Sequence, residues 1–123
     1  MSAPVGPYSP AVRTGEWVVT SGQIGLAPGE RDAPSLVEGG TGPELRQALA
    51  NLTTVLAAHG ATMTDVAKAT VFLVDMSDYV LVNEIWTEML PVPRPARTVV
   101  AVAGLPLGAR VEVEAWARPP APF

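Results

Sequence analysis

The chain contains no cysteine and one histidine, His59. Without thiols there can be no disulfide, no cysteine nucleophile and no thiolate metal site, and one imidazole is too few for the multi-histidine sets that hold catalytic zinc or iron. No Gly-rich phosphate loop is present either, so neither a metal nor an organic cofactor is expected. Basic residues are scarce: eight Lys plus Arg stand against twelve Asp plus Glu, a net charge of −4. Scattered singly, they form no stripe to neutralise a phosphate backbone, which disfavours nucleic acid as a partner. No apolar run approaches the ~20 residues of a membrane span. The first residues, Met1-Ser2-Ala3-Pro4-Val5-Gly6-Pro7, lack the basic and apolar regions of a secretory signal, so a cytoplasmic location without membrane contact is expected.

What remains is an ordinary globular composition, 48% hydrophobic and 16% charged in 123 residues, enough for one domain spanning residues 1–123. A domain of this size buries roughly two-thirds of its unfolded surface and gains from an oligomer interface.

Ala11-Val12-Arg13-Thr14 and Trp17 through Gly22 alternate around Gly15-Glu16, which predicts a β-hairpin with a tight turn. Gly25 to Pro43 holds five Gly and three Pro without periodicity and reads as a long surface loop. Thr41-Gly42-Pro43-Glu44 matches a capping box, and Leu45, Ala48, Leu49, Leu52, Val55 and Leu56 recur at helical spacing. They predict a helix from about Pro43 to His59, stopped by Gly60. His59 falls in its last turn, where a cap or surface role is favoured over catalysis. After a short capped turn at Thr62–Asp65, the β-branched run Ala67–Val74 suits a buried strand. A second helix begins at Asp75–Asp78, with Tyr79, Val82, Ile85, Trp86 and Met89 on its apolar face, and Pro91 ends it. Arg97–Ala103 and Arg110–Arg118 read as two closing strands. The order ββαβαββ predicts an α+β fold, a mixed sheet with two helices on one face.

Alternation sorts the closing strands by face. Thr98, Val100 and Val102, with Val111, Val113, Ala115 and Ala117, form an apolar set expected beneath the helices. Arg97, Val99 and Ala101, with Glu112, Glu114, Trp116 and Arg118, are expected on the other face, where charges could not be sealed unpaired. Periodicity leaves two readings open, a solvent-facing surface with routine ion pairs or, since Trp116 lies among the charges, a protein interface with a polar cleft at its rim.

Gly6-Pro7-Tyr8-Ser9, Thr20-Ser21-Gly22-Gln23-Ile24, Arg46-Gln47 through Asn51-Leu52, Val71 to Met76, Val82-Asn83-Glu84, Pro95-Ala96-Arg97-Thr98 and Val111-Glu112-Val113-Glu114-Ala115 resemble the ordered signature blocks of the Rid (YjgF-type, RidA-like) family. The most specific is Pro-Ala-Arg followed by the Glu-x-Glu strand. The resemblance implies a chorismate-mutase-like fold in a homotrimer, three sheets packed inward and an active site in each subunit interface. It implies a 2-iminobutanoate/2-iminopropanoate deaminase-like hydrolase, which converts enamine and imine acids such as 2-aminoacrylate to 2-keto acids and ammonia without metal or organic cofactor.

Carried over by resemblance, Arg97 clamps the substrate carboxylate, which suits its two-pronged guanidinium. Glu114 holds or activates the attacking water. Tyr8 closes the pocket, Ser21 and the backbone at Gly22 line it, Asn83 contributes from the second helix, and the backbone amide of Val99 helps bind the carboxylate. Several positions depart from the family pattern: Gly25 where proline is common, Glu44 for a common glutamine, a longer Leu26–Gly42 loop and the extension Pro119–Phe123. They bear on substrate range, since loops by a pocket set specificity. Three other readings stand beside the general deaminase: a dedicated pathway deaminase with another enamine substrate, a non-catalytic trimer binding small carboxylates, and an RNA-cleaving or translation-inhibiting protein. The acidic balance and the lack of a histidine pair weigh against the last.

Overall fold

A computed structural model describes residues 6–29 and 33–121. Strands β1 (Ala11–Thr14) and β2 (Trp17–Thr20) form the expected hairpin, and Gly15 supplies the positive φ of 57° at the first turn position. Helix α1 (Thr41–Ala57), β3 (Val66–Leu73), α2 (Tyr79–Met89), β4 (Ala96–Ala101) and β5 (Val111–Ala117) follow. The sheet order is β1-β2-β5-β3-β4. Only β3 and β4 run parallel, joined by the crossover through α2, and the other neighbours are antiparallel. This is the mixed sheet and α+β class that the sequence predicts.

Both helices lie on one face. Leu45, Leu49, Leu52 and Leu56 of α1 and Val82, Ile85 and Trp86 of α2 pack with Val71, Leu73, Val111 and Val113 into one core. Leu52 is fully buried. Truncating it removes apolar contact and leaves a void, so Leu52→Ala is expected to cost about 3 kcal/mol, read as a lower denaturant midpoint with an unchanged slope.

Helix α1 begins earlier than the pattern predicts, at Thr41 behind Gly40, and the capping box is not formed. Its two side chains have tertiary partners instead. Thr41 Oγ1 donates to Asp78 Oδ2 (2.5 Å) and accepts from Arg110 Nε (3.0 Å), while Glu44 Oε1 accepts the Arg110 backbone N–H (2.8 Å). Both side chains are buried, and a buried hydroxyl or carboxylate goes to the strongest donors within reach. Gly60 takes a φ of 77° just past α1, as a helix stop requires. His59 Nδ1 lies 3.2 Å from the Val55 carbonyl, a local cap contact, and its backbone carbonyl accepts from Arg13 of β1 (3.4 Å). The short turn at Met63–Asp65 carries the expected capping box from Thr62 and Asp65. Tyr79 and Met89, placed by the pattern on the apolar face of α2, stay exposed.

The glycine-rich segment folds back on itself, Leu26 bridging Leu36 and the Ala27 N–H donating to the Ser35 carbonyl. No helix among the described residues is long and apolar enough to cross a membrane.

Candidate active site

Arg97 sits on β4, the edge strand beside α2. Its Nη2 donates to Asn83 Oδ1 at 2.7 Å, with the Tyr79 hydroxyl 3.5 Å away. The guanidinium carbon lies 5.2 Å from the Trp86 ring centre and 5.7 Å from that of Tyr79, within reach of a cation–π attraction. Tyr79, Asn83 and Trp86 are spaced i, i+4, i+7 on α2 and so share one face. They hold the fork from one side, and its other donors have no partner among the described residues. Among the expected site residues the structure therefore joins Arg97 and Asn83. Tyr79 and Trp86 were not singled out from the sequence as site residues, although their helical spacing with Asn83 was there to read.

Glu112 and Glu114 point from the opposite face of the sheet. On β3, Phe72 pairs with Glu112 and Thr70 with Glu114, whereas Ala69, on the helix side, pairs with both Arg97 and Ala115. This corrects the expected sorting of faces. Arg97, Val99 and Ala101 share the helix side with Val111, Val113 and Ala115, while Thr98 and Val100 share the other face with Glu112 and Glu114, across β3. Alternation fixes faces within a strand, but the phase between two strands depends on pairing with a third, and here that third is β3. Val99 packs against the core. Arg97 keeps its charge at solvent's edge because, among the described residues, β4 has no strand beyond it.

The half-buried Glu112 carboxyl is the more confined of the two acids. A β-carbon on Gly22 would stand 2.5 Å from Glu112 Cδ, so any larger residue there would push the carboxyl out of this position. Gln23, next in the chain, pairs with Val113 in both directions (2.8 and 2.9 Å) and locks this approach. Burial raises the Glu112 carboxyl above the ordinary Glu value of 4.5, and the charge of Glu114 raises it further. The sequence could not choose between the acids, since Glu-x-Glu places both on one face; the contact with Gly22 distinguishes them.

Ser21 tethers the N-terminal arm. Its Oγ donates to the Ser9 carbonyl (2.6 Å) and its N–H to the Pro10 carbonyl (2.8 Å). The arm carries Tyr8, which is exposed. Ser21, Gly22 and Glu112 thus form one group with Tyr8 on the tethered arm nearby in sequence, and Arg97 with Asn83 forms another. Arg97 and Glu112 lie two strands apart, about 10 Å across the sheet, and three residues apart in register, about another 10 Å along it, on opposite faces.

The outer face is rich in apolar groups. Trp17 and Trp116 meet edge to face, 6.1 Å between centres. Trp116 and the neighbouring Val12 are exposed there, and Val100 is exposed on the same face at the far edge strand, an apolar surface of the kind that marks an interface.

The comparisons agree with this architecture. A family model described as Endoribonuclease L-PSP matches residues 1–118. A mouse protein named 2-iminobutanoate/2-iminopropanoate deaminase is 45% identical over 115 residues, which cover 94% of this chain and 83% of the mouse protein. The solved structure of RidA from an Antarctic Psychrobacter superposes with a TM-score of 0.88 at 38% identity, covering 95% of this chain and 92% of that one. Escherichia coli TdcF, solved with bound serine, gives a TM-score of 0.83 at 30% identity, covering 95% and 91%. By this match and these relatives, the chain belongs to the Endoribonuclease L-PSP family, the YjgF/Rid proteins.

Proposed function

We propose that the protein is a hydrolytic deaminase of enamine and imine acids of the 2-aminoacrylate type, working at a site between copies in a homotrimer. The observation that carries this reading is the split of the polar residues: an arginine fork presented on one face of the sheet edge and a confined carboxylate on the other. The mouse relative's name and the serine bound in TdcF support a small 2-amino or 2-imino carboxylate as ligand.

In this reading the free donors of Arg97 take the substrate carboxylate as a two-pronged pair. Asn83, Tyr79 and Trp86 orient the fork, and the Val99 backbone amide adds a donor. The enamine acid tautomerises to the imine, whose carbon accepts water. Glu112 takes the water's proton and passes it to nitrogen; the carbinolamine then expels ammonia and leaves the 2-keto acid. One water is consumed and no electrons are exchanged, so the step balances without an oxidant or reductant. A carboxyl held above its ordinary value matches a proton acceptor near neutral pH better than a free one does. Glu114, the acid expected from the sequence to activate water, then acts mainly through its charge on Glu112. Ser21 and Gly22 line the carboxylate side and Tyr8 closes it.

The test generates an enamine acid in place and times keto-acid formation with and without the protein, while light scattering gives the assembly. A trimer near three times 12.8 kDa that accelerates hydrolysis is expected. A monomer at micromolar concentration, or binding of 2-ketobutyrate with no acceleration, overturns the reading, the second in favour of a carboxylate-binding trimer. Cleavage of RNA by the same trimer without deamination would favour the activity in the family's description.

A further inference from the structure

The signature block on α1, Gln47 through Asn51, touches neither polar group directly. It holds the strip that confines Glu112. Gln47 Nε2 donates to Asn51 Oδ1 (2.8 Å), and Asn51 Nδ2 donates to two backbone carbonyls, those of Ile24 (3.2 Å) and Leu26 (3.1 Å). Those carbonyls flank a three-residue turn around Gly25, closed by the Leu26 N–H on the Ile24 carbonyl (2.8 Å). The turn lies directly on the helix backbone: a β-carbon at Gly25 would stand 2.7 Å from Glu44 Cα. The Glu44 side chain in turn accepts the N–H of Arg110 at the entrance to β5, two residues before Glu112. Gln23 returns the strip to β5 at Val113. Turn, helix and strand thus form a closed ring of contacts, and Glu112 meets Gly22 inside it.

We propose that Asn51 is a positioning residue for the deamination, fixing the approach of Gly22 to the Glu112 carboxyl by holding the carbonyls of Ile24 and Leu26. The inference rests on the deaminase reading with Glu112 as proton carrier. Removing the amide leaves two carbonyls without their donor. They recruit water, the turn lifts from α1, and Gly22, two residues from Ile24, retreats from the carboxyl. The Arg97 group on the other face is untouched, so substrate binding is retained while the proton carrier is misplaced.

The experiment compares Asn51→Leu, close in shape but without hydrogen bonds, with the wild-type trimer across pH. A misplacement on the ångström scale predicts kcat down between about ten- and a hundredfold with KM nearly unchanged. It also predicts that the acid limb of the kcat profile moves to lower pH, because a hydrated Glu112 loses the burial that raises it. Among the described residues, the charged groups on the sheet face of Glu112 are Glu114 on its own strand and Lys68 on β3, which stands opposite Trp116, four residues along from Phe72, and is held to Thr98 Oγ1 at 2.6 Å; Arg110, two residues before Glu112, turns to Thr41 and Asp78. The Gly22–Gln23 strip, β2 and β4 present none on that face, so the limb reports the strip's approach. Wild-type kcat in Asn51→Leu overturns the proposal, and so does a reduced kcat with an unmoved acid limb, which marks a merely structural role. If circular dichroism shows that Asn51→Leu does not fold, Gln47→Met, which removes only the bond orienting Asn51, decides by the same two readings with a smaller shift in the same direction. Absence of turnover by the wild type overturns the deaminase reading itself, and the inference with it.

Discussion

Arg97→Ala is expected to lose about a hundredfold or more in kcat/KM for an enamine acid, with the fold intact. A two-pronged pair between guanidinium and carboxylate is charge-assisted, and removing it leaves a substrate anion without its partner in a cleft. A hundredfold corresponds to about 2.7 kcal/mol of transition-state stabilisation, the scale of one deleted electrostatic contact in a preorganised site. Folding should be spared because Arg97 lies on an edge strand and makes no salt bridge among the described residues. Its ties are to Asn83, Tyr79 and Trp86 on α2. Arg97→Lys should recover little, since a point charge cannot reproduce the fork or its stacking on Trp86. Titration with 2-ketobutyrate beside timed imine hydrolysis separates binding from turnover. Wild-type affinity and activity in a correctly folded Arg97→Ala trimer would remove Arg97 from the site.

The sequence showed the elements of the fold because each carries its own local signal. The leucines of α1 recur at helical spacing, Gly15 and Gly60 stand where positive φ is needed, and the largely apolar run Ala67–Val74 overlaps β3 in all but its first residue. Pairing between strands has no such local signal. The placement of Arg97 relative to Glu112 depends on the parallel register of β4 against β3 and the antiparallel register of β5 against the same strand, set across a crossover helix and a loop. A one-residue change of phase inverts the answer, and the sequence reading therefore put Arg97 on the carboxylate face. The capping box at Thr41 and Glu44 misled for a related reason: both side chains had distant partners, Asp78 and Arg110, that no window around α1 contains. The site was legible in its residue types, an arginine and an acid pair. Which acid is confined depends on Gly22, ninety residues away along the chain and touching Glu112 only in the folded sheet.

That contact makes Glu112→Gln and Glu114→Gln unequal. Glu112→Gln keeps size and hydrogen bonding and removes basicity, so kcat should fall on the order of a hundred- to a thousandfold, within the range of a general base, while 2-ketobutyrate affinity changes little. Glu114→Gln should lose less than about tenfold, because its part is to raise Glu112 by charge, and it should also move the acid limb to lower pH. Stability should run the other way. The carboxyl of Glu112 is raised, chiefly by burial, so the folded state binds its proton more tightly than the unfolded state. The stabilisation from that proton is fully present below the ordinary Glu value of 4.5 and is lost as pH rises through the raised folded value. Glutamine cannot ionise and suffers no such loss. Calorimetry at fixed trimer concentration should therefore find Glu112→Gln with a higher Tm than wild type near neutral pH, and the difference closing as pH falls through that window. Burial of a group needed in its charged form thus costs stability where it serves the chemistry. If Glu114→Gln abolishes turnover while Glu112→Gln leaves kcat and the pH dependence of Tm unchanged, the proton carrier is Glu114 and the contact with Gly22 is only packing.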